Sequence, residues 1–250
     1  MKSERKQDLI FGKRPILEAL NSSLNLKCIY VLDSLEIDST LRRIFEEAKK
    51  RGVRLEKLKK KEFSASFKNE NMQGIVAEVS HFNYLTLNEV IDSAKENQPS
   101  LVVVCDHITD VGNFGAIIRS AESAGALCVV IPNSRSVSVT SAVFKTSAGA
   151  ISHLPIVQVS NVVRTLDKLK DLGFWIVGAS EHADNLLWEA DLIGNIAIVL
   201  GNEEKGISEL VLKNCDDTFK LPQLGVISSL NVAQASTVFM YEWVRQNGKK

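Results

Sequence analysis

The sequence lacks the features that define several common protein classes. Its four cysteines form no C-x-x-C pair and its four histidines show no metal-ligand spacing, so we expect reduced thiols and no metal site. No apolar run approaches the roughly 18 residues of a membrane span. The charged first eight residues lead into no apolar segment, so we expect no signal peptide. These absences predict a cytoplasmic protein.

The chain also lacks net charge, because its 30 Lys and Arg residues balance 30 Asp and Glu residues. A uniformly basic nucleic-acid coat protein is therefore excluded, although a local basic face is not. Residues 1–78 carry 17 basic and 12 acidic residues, and the remainder is acidic overall. Residues 49–61 hold eight basic residues and one acid. Such a run is either an ordinary solvated surface or a contact face for phosphate.

The order of apolar and amphipathic segments predicts an α/β fold with two domains. Residues 1–79 are expected to form a small α/β domain, and the polar stretch 80–99 is expected to be a linker. In residues 100–250, apolar runs alternate with helical patterns, which predicts a mostly parallel sheet with helices on both faces. The last helix is expected over 229–246. Ligands of such sheets bind at the carboxyl ends of strands, so the loops at those ends are the candidate sites.

The first of these loops reads Gly-Asn-Phe-Gly-Ala-Ile-Ile-Arg over residues 112–119. Its two glycines permit close approach of a ligand to the backbone, and the start of the following helix favours negative charge. Asn113 is alternatively the N-cap of that helix, with Arg119 solvated on its polar side. The loop lacks G-x-G-x-x-G, so a dinucleotide fingerprint is not supported.

The second loop reads Gly-Asn-Glu-Glu-Lys-Gly over residues 201–206 and follows an apolar strand. It is not a Walker loop, because Ile207 stands where that motif needs lysine. A purely structural alternative is a surface turn in which Glu203 or Glu204 caps the next helix. The residues alone leave both interpretations open.

The third loop runs from Leu221 to a Ser-Leu-Asn-Val sequence at residues 229–232. Ser229 is alternatively a helix N-cap, the commonest use of serine at such a position. A serine nucleophile would need G-x-S-x-G and a histidine partner, and neither is visible. The three loops together supply Asn, Arg, Glu, Ser and Asn at strand ends of one predicted sheet.

These three motifs, N-x-G-x-x-x-R, G-N-E-x-x-G and S-L-N-V in that order, closely resemble the signatures of the TrmH-type RNA 2′-O-methyltransferases of the SPOUT superfamily. The segments Gly12–Leu20 and Gln73–Ala77 resemble the auxiliary RNA-binding domain of its ribosomal-RNA branch. The resemblance covers nearly the whole chain. It implies S-adenosylmethionine as the methyl donor and a ribose 2′-hydroxyl as the acceptor, best assigned to a guanosine in large-subunit rRNA. It also implies a deep trefoil knot in the C-terminal domain and a homodimer that completes the active site across its interface.

The resemblance further assigns roles to individual residues. It makes Arg119 the key catalytic residue, which the family account often casts as the proton acceptor. Because a guanidinium is hard to deprotonate, we expect Arg119 instead to stabilise the developing alkoxide and grip a phosphate, with Glu203 holding its guanidinium. The catalytic set matched to the motifs is Arg119, Asn113, Glu203, Ser229 and Asn231. The cofactor set is Gly201, Leu221, Leu230, Leu200 and Ala179. The RNA-binding set is Lys13, Arg14, Lys59, Lys60 and Lys61.

Three alternatives stay open on the sequence alone. The first is a tRNA ribose 2′-O-methyltransferase, and the second is a non-catalytic RNA-binding protein of the same fold. Intact Arg119, Glu203, Ser229 and Asn231 argue against the second, because a binding module does not need that set. The third is another transferase on a Rossmann-like sheet, which the missing G-x-G-x-x-G disfavours.

Overall fold

A computed structural model describes residues 9–21, 24–67, 73–79, 82–94, 98–226 and 229–248. The expectation about a signal peptide rests on the first eight residues and lies outside this described part. The chain divides into two compact units, the first comprising residues 1–83 with 139–153 and the second comprising 84–138 with 154–250. The units are described separately below.

The first unit is a four-stranded mixed sheet with helices on both faces. The strand order is β1-β4-β2-β3, in which β2 and β3 are parallel and the other pairs are antiparallel. Apolar residues of α3 and of the chain after it cover one sheet face, where Phe63, Phe67 and Val76 are buried together. The elements are β1 (Leu9–Phe11), α1 (Lys13–Leu20), β2 (Leu26–Leu32), α2 (Ser39–Lys50), β3 (Arg54–Leu58), α3 (Lys60–Ser66) and β4 (Ile75–Val79).

Arg51 fixes the carboxyl end of α1. Its guanidinium donates hydrogen bonds to the carbonyl oxygens of Ala19 and Leu20 at 3.1 and 2.7 Å and to that of Leu24 at 2.8 Å. The last carbonyls of a helix have no partners within the helix, so a cation placed there satisfies them. Arg51, one of the basic residues in the run 49–61, therefore stabilises the fold of the first unit.

We expect Arg51→Ala to destabilise the first unit by about 2 kcal/mol, because three carbonyls would lose a charged donor. Hydrogen exchange of the α1 and β2 amides should accelerate accordingly. Arg54→Ala is the matched control, since Arg54 pairs with Glu56 at an exposed site, where ion pairs contribute little. Equal protection in both variants would show that Arg51 does not stabilise α1.

Residues 139–153 lie between two strands of the second unit in sequence but belong to the first unit. They form α6 (Ser141–Thr146), which contacts β1, and a 3-10 turn (Ala150–Ser152). Val143, Phe144 and Ile151 are buried. His153 also lies within hydrogen-bond distance of Glu18, with Nε2 and Oε2 3.2 Å apart. The domain limits taken from the sequence place this segment in the 100–250 domain, so the structure divides the chain differently at this point.

The second unit is a seven-stranded sheet of order β7-β6-β5-β10-β8-β11-β9, and every strand pair in it is parallel. This confirms the predicted parallel sheet. Its strands are β5 (Leu101–Cys105), β6 (Cys128–Pro132), β7 (Ile156–Val159), β8 (Trp175–Ala179), β9 (Asn185–Leu186), β10 (Ile196–Leu200) and β11 (Asp217–Lys220).

Helices cover both faces of this sheet, as the alternating pattern predicts. Apolar side chains of α4, α7 and α8 are buried against one face, and α5 and α9 pack together and contact strands of the sheet. All five residues of each of β5, β6 and β10 are buried, which explains their uninterrupted apolar sequences. The helices are α4 (Leu87–Asp92), α5 (Val111–Ser123), α7 (Val162–Asp171), α8 (Glu209–Leu212) and α9 (Val232–Asn247). A 3-10 turn at Leu187–Glu189 lies between β9 and β10.

The last helix begins later than the sequence predicts. Asn231 is its N-cap, with Oδ1 accepting the backbone N–H of Ala233 at 2.9 Å, so residues 229–231 lie before the helix. Ser229 and Asn231 therefore lie in the loop at the edge of the sheet and not within the helix. No helix in the described part of the chain is both long and apolar enough to cross a membrane.

Candidate active site

The loops after three adjacent strands enclose a cavity of about 340 Å³. These strands are β8, β10 and β11, so the cavity lies at the carboxyl edge of the sheet, where ligands of parallel sheets bind. Small-molecule sites commonly measure about 300–1,000 Å³. The five residues predicted to hold the cofactor all line it, namely Ala179, Leu200, Gly201, Leu221 and Leu230.

The cavity lining suits S-adenosylmethionine. Leu200, Phe219 and Phe239 give it an apolar wall, which fits an adenine ring and a thioether. Glu181 and Lys220 add charged groups, which fit the ammonium and carboxylate ends of an amino acid. No cluster of potential metal ligands occurs among the residues that the structure describes.

Gly201 allows the turn after β10 to close tightly. Asn202 and Gly206 exchange backbone hydrogen bonds of 3.0 and 2.9 Å, and Asn202 Oδ1 accepts the N–H groups of Glu204 and Lys205. A Cβ at position 201 would lie 2.2 Å from the carbonyl carbon of Gly206, which is backbone and cannot rotate away. The turn is therefore tightly constrained, and it presents the Glu203 carboxylate at the cavity.

Three of the predicted catalytic residues form one hydrogen-bonded chain. Asn231 Nδ2 donates to Asn113 Oδ1 at 2.9 Å, and Asn113 Nδ2 donates to Glu203 Oε1 at 3.1 Å. Ser229 lines the same cavity together with Glu203 and Asn231. Residues from three separate loops, far apart in sequence, are thus brought together as the motifs predict.

The expected contact between Glu203 and Arg119 is wrong within a single chain. Glu203 bonds to Asn113 and Asn202, and the Arg119 side chain is exposed and makes no hydrogen bond or ion pair with any other described residue. The helix explains this, because six residues after Asn113 at about 100° each place Arg119 on a different face of α5. Arg119 therefore points away from the hydrogen-bonded residues Asn113, Glu203 and Asn231 of its own subunit.

The structure contradicts the helix caps that the structural alternatives assign to these motifs, although Arg119 is solvated as one of those alternatives predicts. Asp110 is the N-cap of α5, with Oδ1 accepting the N–H of Asn113 at 2.6 Å, so Asn113 is not a cap. The N-cap of α8 is Ser208, so neither glutamate of the second loop caps that helix. Asn231 rather than Ser229 caps α9. Asn113, Glu203 and Ser229 are thus not needed as helix caps.

Sequence reasoning missed three residues beside this site. Asp106 is almost fully buried, its Oδ2 accepts the Ser208 N–H at 2.7 Å, and its Oδ1 lies 2.6 Å from His107 Nδ1. Asn202 Nδ2 donates to the carbonyl oxygen of His107 at 2.9 Å and also contacts Glu203 Oε2 at 3.2 Å. Asn202 stands in the second motif without an assigned role, and the sequence signal for the other two was an adjacent Asp and His directly after an apolar strand.

The buried Cys105 thiol beside the site is unreactive. Burial raises the pKa of Cys105 well above its ordinary value, and the nearby carboxylates of Glu203 and Asp106 raise it further. Burial likewise raises the pKa of Cys215 to about 12. Neither thiol is a thiolate at neutral pH, so neither supplies a nucleophile.

The residues predicted to bind RNA lie in the first unit and differ in availability. Arg14 and Lys59 to Lys61 are exposed. Lys13 instead donates to Asp38 Oδ2 at 2.7 Å, and this bond, with the N–H of Leu41, lowers the pKa of Asp38. Lys13 thus joins the start of α1 to the N-cap of α2.

Comparison with known proteins matches the chain in two parts and places residues 139–153 in the second of them. Residues 100–241 match the SpoU rRNA methylase family, and residues 9–85 match a domain described as RNA 2′-O ribose methyltransferase substrate binding. Among curated relatives, an uncharacterized tRNA/rRNA methyltransferase of Synechocystis is 36% identical over 99% of this chain, which spans 66% of that protein. The 23S rRNA (guanosine-2′-O-)-methyltransferase RlmB of Vibrio vulnificus is 36% identical over 87% of each chain.

Solved structures agree with these matches. The SpoU methyltransferase AviRb of Streptomyces viridochromogenes, crystallised with S-adenosylmethionine, has a TM-score of 0.80 and 28% identity over 95% of this chain and 89% of its own. The family matches cover both units, and the cavity with its three motifs lies in the part that matches the methylase. The chain therefore belongs to the SpoU family and is an S-adenosylmethionine-dependent RNA ribose 2′-O-methyltransferase.

Proposed function

We propose that this enzyme methylates the 2′-hydroxyl of a guanosine in large-subunit ribosomal RNA, in the cytoplasm. The main support for this proposal is the set of hydrogen bonds that connects Asn113, Glu203 and Asn231 beside the cavity. The protein is also 36% identical to an enzyme named for that reaction. The N-terminal match to a substrate-binding domain supports a structured RNA substrate.

The proposed roles follow from where each group lies. S-adenosylmethionine supplies an electrophilic methyl group when bound. Asn231 and Ser229 position the ribose at the cavity mouth, and Glu203 fixes the amide of Asn113 so that its orientation is set before RNA arrives. Alignment of the reacting atoms alone contributes about 7–11 kcal/mol where orientation is ideal.

Arg119 is proposed to act on the active site of a second copy. Its guanidinium is exposed and unpaired among the described residues, and it lies on α5, which packs against α9. A guanidinium stabilises an alkoxide and a phosphate through several directed donors but does not itself accept a proton. A homodimer formed through the α5 and α9 surface would bring Arg119 to the partner's cavity and explain why it faces away from its own.

A knot in the second unit is supported by the strand order. β11 lies between β8 and β9, although residues 180–184 join those two strands directly. The N–H of Ser180 bonds the carbonyl of Phe219 at 3.0 Å, so this short connection crosses the end of β11. The chain after β11 must then pass the same connection, which is the arrangement that a trefoil knot requires.

The first unit is proposed to capture RNA through a basic face. The domain limits proposed from the sequence are 1–79 for this RNA-binding domain, 80–99 for a linker and 100–250 for the methyltransferase. Arg14 and the lysines at 59–61 are exposed for phosphate contact, whereas Lys13 would first have to leave Asp38.

Replacing Lys59, Lys60 and Lys61 with alanine should flatten the salt dependence of RNA affinity. Removing one lysine–phosphate interaction reduces the slope of log affinity against log salt by about 0.7–0.9. Filter binding from about 50 to 300 mM KCl, where such slopes are measured, checks this. Lys213→Ala is the control, since Lys213 pairs with Glu209 in the second unit. An unchanged slope would assign residues 59–61 to ordinary surface.

The substrate is tested by transfer of a labelled methyl group. Ribosomal RNA and tRNA from a strain lacking the gene are incubated with the protein and labelled S-adenosylmethionine, and the modified ribose is mapped. Label at a guanosine of large-subunit RNA supports the proposal. Label only in tRNA favours the alternative substrate, and RNA binding without transfer to either would indicate a non-catalytic protein.

A further inference from the structure

The Asp106–His107 pair stands at the carboxyl end of β5, next to the strand whose loop carries Glu203. Asp106 is 1% exposed, and its Oδ1 lies 2.6 Å from His107 Nδ1. A carboxylate accepts but does not donate, so a neutral His107 bonded to it would carry its proton on Nδ1 and keep a lone pair on Nε2. Nε2 contacts no polar group of the described residues, and the ring is 37% exposed.

The backbone holds His107 in an uncommon conformation. Its φ is 61°, in the left-handed region that residues other than glycine seldom occupy. The neighbouring turn stabilises this conformation, because Asn202 Nδ2 donates to the carbonyl oxygen of His107 at 2.9 Å. The same amide contacts Glu203 Oε2 at 3.2 Å, which connects His107 to Asn113 and Asn231. The backbone of His107 is therefore held by the same turn that presents the Glu203 carboxylate, and Asp106 orients the ring.

We infer that His107, oriented by Asp106, accepts the proton of the ribose 2′-hydroxyl during methyl transfer. In this step the ribose O–H bond breaks and its proton passes to Nε2 of His107. The oxygen forms a bond to the methyl carbon as the bond from that carbon to sulfur breaks, and the sulfonium becomes a neutral thioether. The inference rests on the proposed function, and it fills a role for which a guanidinium is unsuited.

The charges around the pair favour such a role. Asp106 is the acidic group bonded to the ring, and a buried carboxylate stabilises the imidazolium that proton transfer creates. Glu203 is connected to the backbone carbonyl of His107 through Asn202. Cys105 and Cys215 interact electrostatically with Asp106, and their raised pKa values keep both thiols neutral. Asp110 caps α5 and is engaged with the N–H of Asn113. No other basic side chain bonds to Asp106 among the described residues.

The decisive experiment compares single-turnover methyl transfer by wild type and His107→Asn across pH, at saturating RNA and S-adenosylmethionine. Asparagine tolerates the left-handed conformation, so the backbone is kept while the base is removed. We expect the rate to fall about 100-fold and to lose its rise with pH. RNA and S-adenosylmethionine affinities should be unchanged. His153→Asn, in the first unit, is the control and should match wild type.

Two further measurements keep the inference falsifiable. Imidazole added to His107→Gly should restore part of the rate, whereas the wild type should not respond. Nitrogen NMR of histidine-labelled protein should show His107 as the Nδ1–H tautomer, identified by its loss in His107→Asn. An Nε2–H tautomer, absence of rescue, or an unchanged rate and pH profile would each overturn the inference.

These results are separable from a failure of the proposed function. If wild type transfers no methyl group to any RNA, the function itself is wrong, and the histidine tautomer alone then carries no catalytic meaning. If wild type is active and His107→Asn equals it, only the assignment of the proton acceptor is wrong.

Discussion

Arg119→Ala is expected to lower methyl transfer about 1,000-fold while S-adenosylmethionine affinity stays nearly unchanged. The physical reason is that Arg119 lies outside the cofactor cavity and on another face of α5 from Asn113. Its proposed targets are the charge that develops on the ribose oxygen and a neighbouring phosphate, both of which belong to RNA. Removing the guanidinium takes away stabilisation of the transition state without disturbing the cavity.

Single-turnover rates and calorimetric titration of S-adenosylmethionine check this prediction. Arg164→Ala is the matched control, because Arg164 is an exposed arginine on α7 and does not line the cavity. Equal loss of cofactor affinity and of activity in Arg119→Ala would indicate that Arg119 is structural.

Mixed subunits test which copy Arg119 serves. Neither Arg119→Ala nor Glu203→Ala should be active alone, but random mixing makes about half of the dimers heterodimers, each with one complete site. If Arg119 acts on the partner, the mixture should recover about a quarter of wild-type activity. If it acts on its own subunit, the mixture stays inactive, and the proposed dimeric site is wrong.

Gly201→Ala is expected to destroy the cofactor cavity. The added Cβ would meet backbone atoms of Gly206 and Ile207 at 2.2 Å, so the turn must open. Such overpacking commonly costs about 1–3 kcal/mol, and here the displaced atoms form the cavity wall. We expect S-adenosylmethionine affinity to fall about 10- to 100-fold, with activity falling at least as far.

Calorimetric titration and thermal unfolding separate loss of binding from loss of stability. Gly173→Ala is the control, because Gly173 has a φ of 81° and an added Cβ there meets nothing within 4 Å. That variant should lose about 1 kcal/mol through backbone strain alone and keep its cofactor affinity. Full binding by Gly201→Ala would show that the turn can adapt.

Periodicity and motif spacing predicted most of the second unit. Continuous apolar runs such as Leu101–Cys105 identify buried parallel strands, because all their side chains are covered from both faces. The loops at the carboxyl ends of these strands then identify the candidate active site. Conversely, Asn185–Leu186 is a strand of two residues, too short for any periodicity to reveal.

The contacts that the sequence could not predict are those set by helix phase and by competing caps. Asn113 and Arg119 share one motif, yet the helix separates them, so Glu203 bonds to the first and not to the second. Asp110, and not Asn113, is the N-cap because α5 already begins at Val111. The carboxylate of Asp110 accepts the N–H of Asn113, which lies within the first turn. His107 was overlooked because an Asp-His pair has no spacing rule, and only the fold brings it beside Asn202.

The place of residues 139–153 in the first unit constrains how the protein is made. Translation delivers the first 83 residues long before Val143, Phe144 and Ile151, whose apolar side chains become part of that unit. Because domains usually begin folding in order of synthesis, the first unit lacks the contacts of α6 with β1 until a segment encoded between two strands of the second has been made. An expressed fragment that ends at residue 83 would therefore leave apolar surface uncovered and be prone to aggregation. In the full-length chain, residues 139–153 are made only after part of the second unit has been synthesised.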